Sequence, residues 1–206
     1  MAKAEDLFGD EILFIPDNDK KQKQNSDWKR PLTKGEYLGH IKDVSTREVS
    51  FKGYKATVYN YFVEVAKENE IMKYTFRDEE YSGSEYTGRN LKGLGVFKFL
   101  TPKEGDDFES NPSGNDKYLL FCKSIGVEVK KEERDIGGKK VTVEIMPNLS
   151  EEDINGRPVI AVVDRGKPYT NKNGTEINPW QCKFVKAWDE GEIRDFSGRY
   201  RSNENR

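Results

Sequence analysis

The sequence predicts a mainly β domain, and three observations carry the prediction. Glu36 to Val49 alternates with a period of two, Tyr54 to Ala66 is rich in β-branched and aromatic residues, and two further runs of that kind, Arg157 to Arg165 and Asn178 to Trp188, flank a polar tip. In the first strand Tyr37, Gly39 and Ile41 share one side of the pleat, and Leu38, His40 and Lys42 share the other. Phe51-Lys52-Gly53 turns the chain into the second strand. There apolar residues occupy both faces, with Tyr59, Tyr61, Val63 and Val65 on one and Val58 and Phe62 beside Asn60 on the other, so both sides need cover.

Lys67 to Glu70 make the next turn, and Ile71 to Arg77 completes a three-stranded meander, apolar at Met72, Tyr74 and Phe76 and basic at Lys73 and Arg77. Residues 78–157 read as an insertion. Within it Tyr81 to Gly88 and Thr101 to Asn115 have loop compositions, and Arg89 to Leu100 is expected to be helical, weakened by Gly93 and Gly95. Asp116 to Ile125 is expected to be a helix capped by Asn115 and stopped by Gly126, with Leu119, Leu120 and Ile125 facing inward. Gly137-Gly138 makes a hairpin turn, and Ser150 opens a short helical turn whose cap Asp153 returns.

Five main strands, a meander of three and a later hairpin of two, with a helix- and hairpin-containing insertion between strands 3 and 4, follow the strand order of an OB-fold, a five-stranded Greek-key barrel. The barrel is expected over residues 35–190. Before it stands an arm, 1–34, acidic and apolar from Glu5 to Asp19 and then basic, and after it a basic tail, 191–206; both termini are expected to be flexible.

Composition narrows the function. The chain of 206 residues is 34% hydrophobic and 35% charged, with a formal net charge of -2, so any basic site must be local. Its longest aliphatic runs, Ile12 to Ile15 and Val159 to Val163, fall far below the roughly 20 apolar residues of a membrane span, and without an apolar signal segment a cytoplasmic setting is expected. Cys122 and Cys182 have no Cys or His neighbours, which points to buried free thiols rather than a disulfide or a zinc site. The single histidine, His40, reads as a half-exposed strand residue, so no nucleophilic triad is expected, and one histidine also disfavours a His-ligated metal. No short carboxylate array falls on one strand, and Gly93-Leu94-Gly95 lacks the third glycine of a dinucleotide loop, so no enzymatic activity, metal or cofactor is expected.

What remains is aromatic and basic residues interleaved on strands and loop tips, the mixture with which single-strand binders stack bases and neutralise phosphates without reading sequence. Gly35-Glu36-Tyr37 into Gly39 and Ile41, the Lys52-Gly53 turn leading to Tyr61-Phe62-Val63-Glu64-Val65, Ser124-Ile125-Gly126-Val127, and Asn155-Gly156-Arg157-Pro158-Val159 leading to Tyr169 and Asn171 to Gly174 resemble bacteriophage OB-fold single-stranded DNA-binding proteins. The similarity spans about residues 35–188. It implies sequence-independent binding of single-stranded DNA during phage replication, recombination or repair, with replication or recombination proteins as partners and self-association permitted. On that reading Lys55, Lys73, Arg77, Arg89, Arg165, Lys167 and Lys172 neutralise phosphates, and Phe62, Tyr81, Tyr86, Tyr169 and Trp180 offer rings to bases. The resemblance also implies an acidic C-terminal tail that docks partners, a pattern from which the net basic stretch Arg194 to Arg206 departs; the acidic stretch Glu5 to Asp19 is the segment expected to take that role. Two other readings stand beside it: a non-catalytic protein-interaction module on a β-barrel scaffold, and a metal-dependent nuclease assembled from Asp78, Glu79, Glu80 and the acidic loop at 104–109.

Overall fold

The computed structural model describes residues 31–51, 54–100 and 112–196. The arm before residue 31, the Lys52-Gly53 turn, the acidic loop at 104–109 and the tail beyond residue 196 lie outside the described residues. The fold below belongs to the compact unit that spans 32–206.

β1 (Gly35–Phe51) is the centre of a six-stranded sheet. It runs antiparallel to β2 (Tyr54–Val65) on one side and to β9 (Pro158–Arg165) on the other; β9 pairs with β12 (Trp180–Ala187), and β2 pairs in turn with β5 (Asn90–Lys92) and β6 (Val96–Phe99). The two ends of this order meet at one point: Gly93 bridges Cys182 in parallel, and the Leu94 amide donates to the Cys182 carbonyl at 3.0 Å. Glycine is needed there because a Cβ at residue 93 would stand 2.4 Å from the Tyr61 ring.

Alternation sets the register as the sequence implies. Tyr37 and Ile41 of β1, Tyr59, Tyr61, Val63 and Val65 of β2, and Val159, Ala161 and Val163 of β9 all face one core. Helix α1 (Pro112–Ser124) closes that core with Tyr118 stacked on Tyr59 at 5.6 Å between centroids and Phe121 against Tyr61 at 5.4 Å. Its buried stripe is Tyr118, Phe121, Cys122 and Ile125, spaced three and four apart. Leu120, expected inside, is 62% exposed because it falls off that stripe. Asn115 does not cap the helix; it lies within it, and its Oδ1 accepts from the Phe99 amide at 3.0 Å. Gly126 ends the helical segment at φ 74°, as the sequence predicts. Both cysteines are free and buried, and burial pushes the Cys182 thiol up to about 12.

Two elements differ from expectation. Arg89 to Leu100 is not a helix but the short strands β5 and β6; Gly93 and Gly95 sit between them, pressed on the side chains of Tyr61 and Val58. The segment expected as the third meander strand leaves the sheet: β3 (Lys73–Phe76) pairs with β4 (Glu79–Ser82) in a separate hairpin, whose turn residues Arg77 and Asp78 both take left-handed φ, 52° and 65°. β5 and β6 take the place beside β2 that the sequence reading gives to residues 71–77.

The diversion is fixed by Asn69, in the 3-10 turn Lys67–Ile71. Fully buried, its Oδ1 accepts from the Leu38 amide at 2.9 Å and its Nδ2 donates to the Gly83 carbonyl at 2.9 Å. The Tyr74 hydroxyl reaches the same Oδ1 at 2.9 Å, and the Tyr74 ring stacks on Tyr37 at 4.3 Å.

The elements between α1 and β9 are small. β7 (Lys131–Ile136) and β8 (Lys139–Glu144) form a hairpin turned by Gly137 and Gly138. Ser150 and Asp153 cap each other across α2 (Glu151–Ile154), the Asp153 amide donating to Ser150 Oγ at 3.2 Å and the Ser150 amide to Asp153 Oδ2 at 2.8 Å.

Residues 191–196, expected to belong to a flexible tail, pack against the domain. The Arg194 amide donates to the Gly156 carbonyl at 3.0 Å, and Phe196 is buried. This return covers His40, which is buried rather than half-exposed: its Nε2 donates to the Glu192 carbonyl at 2.9 Å, and Nδ1 has no partner. Burial holds the imidazole below its ordinary 6.5, the Arg194 guanidinium adding to the effect and the Glu68 and Glu64 carboxylates opposing it. The unfolded chain therefore binds the extra proton first, and stability drops as pH falls below 6.5. Denaturant titrations at successive pH values are expected to show this decline, and His40→Gln to flatten it.

Candidate nucleic-acid interface

The cross-strand pairs place one expected ring in a specific setting. On the outer face of the sheet Phe62 of β2 stands opposite Lys42 of β1 on one side and Lys92 of β5 on the other. A half-buried ring thus lies in a row between two lysines. Lys42 Nζ also pairs with Glu64 Oε2 at 2.8 Å, and Lys92 is exposed. Just beyond Lys42 the register shifts between Lys42 and Ser45, a bulge in which Asp43 takes φ 51°.

The second cluster stands where β9 passes into β12. The Arg165 guanidinium lies 3.9 Å from the Trp180 ring centroid, and its Nη1 donates to the Asn178 carbonyl at 2.7 Å. One face of Trp180 is therefore covered by a cation, and the pair presents itself as one flat, charged surface. Between these residues the chain makes the hairpin of β10 (Tyr169–Thr170) and β11 (Glu176–Ile177), with Lys167, Tyr169 and Lys172 exposed on it. Asn171 holds the tip, its Oδ1 accepting from the amides of Asn173 and Thr175, both at 2.9 Å.

The other expected residues are not brought to these clusters. Tyr86 is fully buried, edge-on to Tyr37 at 5.4 Å and to Tyr74 at 4.9 Å, and has no ring face to offer. Tyr81 is buried too, its hydroxyl donating to Glu79. Tyr81 is on β4, which turns its aromatic side with Tyr74 of β3 inward, and Tyr86 ends the 3-10 turn Gly83–Tyr86 that follows, so neither ring is open to a base. On that hairpin Lys73 is exposed but held by Glu80 at 2.8 Å, and the Arg77 guanidinium lies over Phe76 at 5.2 Å. Arg89 lies over the Tyr86 ring at 5.5 Å. Lys55 is exposed near the β1–β2 turn, opposite Ser50.

Sequence reasoning missed Lys42, Lys92, Phe97 and Phe184. Reading 89–100 as a helix hid the first row, although the alternation of Phe97 and Phe99 about Lys98 is a strand signal. Lys98 is itself buried, donating to the Pro147 carbonyl at 3.0 Å. Phe97, Phe99, Leu94, Leu120 and Phe184 line a groove of about 680 Å³ between β6, α1 and β12.

Carboxylates gather elsewhere, in a recess lined by Asp43, Glu151 and Glu152, where Glu151 accepts from the Thr46 amide at 2.8 Å. Among the described residues no three His, Cys, Asp or Glu side chains are grouped to hold a metal ion, and no helix is long and apolar enough to cross a membrane. Comparison with family models, with curated proteins and with solved structures finds no match for this chain.

Proposed function

We propose that the chain is an OB-fold protein that binds single-stranded DNA without reading its sequence. A central first strand flanked by the second and fourth main strands, a fifth beside the fourth, a parallel meeting of third and fifth, and a helix between third and fourth support that fold. Barrels of this kind take oligonucleotides on the face of the second and third strands and on the loop between the fourth and fifth. Phe62 and Lys92 stand on that face, and the β10–β11 hairpin is that loop.

The observation that carries the reading is the Arg165–Trp180 stack at the root of a hairpin bearing Lys167, Tyr169 and Lys172. A cation-backed indole stacks on any base, for about 1–3 kcal/mol, while the lysines follow the phosphates. The role that follows is protection or organisation of exposed strands in replication, recombination or repair, and the bacteriophage resemblance belongs to this proposal.

Titrating the full chain with oligo-dT and with a duplex of equal length, while following tryptophan fluorescence, tests it. Quenching by the single strand in preference to the duplex is expected, with log K falling linearly against log salt by about 0.7 for each phosphate contact. Equal responses to both, or none to either, would refute the proposal.

A further inference from the structure

The groove between β6, α1 and β12 has a different character from the two clusters just described. Leu94 is 42% exposed, Phe97 37%, Leu120 62% and Phe184 51%, an unusual concentration of large apolar side chains in contact with water. The fold aims them there. The register shift between Cys182 and Phe184 inserts Lys183 as an extra residue, and Leu120 is on the side of α1 away from its buried stripe.

Lys117 and Lys183 are the charged side chains among the described residues that line the groove; no described carboxylate does. We propose that this groove binds a segment of a partner protein in which short apolar runs are flanked by carboxylates, the apolar groups filling the floor and the carboxylates meeting the two lysines. Charge complementarity selects this occupant. A second copy meeting the groove through a twofold axis sets Lys117 and Lys183 against their own images. A nucleic-acid strand finds the exposed rings of Phe97 and Phe184 but only two cations to meet its phosphates, and the aliphatic side chains of Leu94, Val96, Leu120 and Val185 break the row of rings, whereas apolar side chains of a peptide fit that mixed floor throughout.

The probe is a fluorescein-labelled synthetic peptide copying residues 5–19, in which the apolar runs Leu7-Phe8 and Ile12 to Ile15 are separated and flanked by Asp and Glu. Added to the full chain, it is expected to bind saturably by anisotropy and to weaken with salt. Leu120→Glu and Phe184→Glu are each expected to weaken it by about tenfold or more, the loss typical of a strong interface contact. Both positions are exposed, so these variants retain the fold, which unchanged circular dichroism verifies. Arg165→Glu should leave peptide binding unchanged, and Leu120→Glu should leave oligo-dT binding unchanged.

Absence of saturable peptide binding, or binding indifferent to Leu120→Glu, would overturn the proposal. So would a loss of oligo-dT binding in Leu120→Glu as large as the loss of peptide, which would assign the groove to nucleic acid. A dimer by sedimentation that Leu120→Glu dissociates would assign it to a second copy. Peptide binding in a chain that ignores oligo-dT leaves this proposal standing and removes the nucleic-acid reading, so the two fail separately.

Discussion

Replacing Arg165, Lys167 and Lys172 together by glutamate is expected to lower affinity for oligo-dT by about two orders of magnitude at physiological salt. The estimate follows from counterion release. Each phosphate contact contributes about 0.7 to the slope of log K against log salt, so losing three flattens it by about 2 units. Lys167 and Lys172 are exposed, and Arg165 is exposed with its guanidinium against Trp180, so the change removes charge without opening the core. The informative quantity is the slope: an affinity loss with an unchanged salt dependence would mean that these side chains hold the hairpin in shape instead of meeting phosphates.

The second large effect concerns stability. Asn69→Ala is expected to destabilise the fold by about 3–5 kcal/mol, because it strands the buried Leu38 amide and the Gly83 carbonyl at about 1–3 kcal/mol each and weakens the hold on Tyr74. In a chain of this size that lowers the Tm by about 10 °C. No neighbouring backbone can move in to substitute, since Gly83 already lies so close that a Cβ there would stand 1.8 Å from the Asn69 carbonyl oxygen. Thermal unfolding of Asn69→Ala and Asn69→Asp separates the contributions: the aspartate keeps the acceptor for Leu38 but sets a buried carboxylate oxygen against the Gly83 carbonyl, and should lose at least as much as the alanine. Equal, small shifts for both would remove Asn69 from its place as the anchor of the β3–β4 excursion.

That residue also shows where the sequence stops being legible. Period-two alternation locates β1, and runs of β-branched and aromatic residues locate β2, β9 and β12, because each packs against the core; the pairs Gly137-Gly138 and Ser150 with Asp153 are legible because turn and cap chemistry is local. Asn69 reads as an ordinary turn residue; only its long-range partners, Leu38 and Gly83, reveal that it steers the chain out of the sheet. Once β3 is diverted, the third-strand position falls to β5 and β6, whose two glycines mimic a broken helix in the sequence while serving close approach to Tyr61 and Val58.

The candidate site divides along the same line. Arg165, Lys167, Tyr169, Lys172 and Trp180 lie on or beside a hairpin the sequence locates, so they emerge together. Tyr81 to Gly88 has a loop composition, but Tyr81 falls in β4 and Tyr86 in the 3-10 turn after it, and both rings are buried. The Lys42, Phe62 and Lys92 row depends on knowing which strand lies beside β2, and no local pattern supplies that.

β1 acquires one neighbour from the residues that follow it at once and the other from the far end of the domain, since Gly35 pairs with Val163. A ribosome therefore finishes the β1–β2 hairpin long before β9 leaves the exit tunnel, and Leu38 and its row wait uncovered for that interval. Folding is tied to completion of synthesis, as expected of a topology with such distant pairings. Chains truncated before Pro158 then emerge as targets for proteolysis rather than as smaller working versions of the protein.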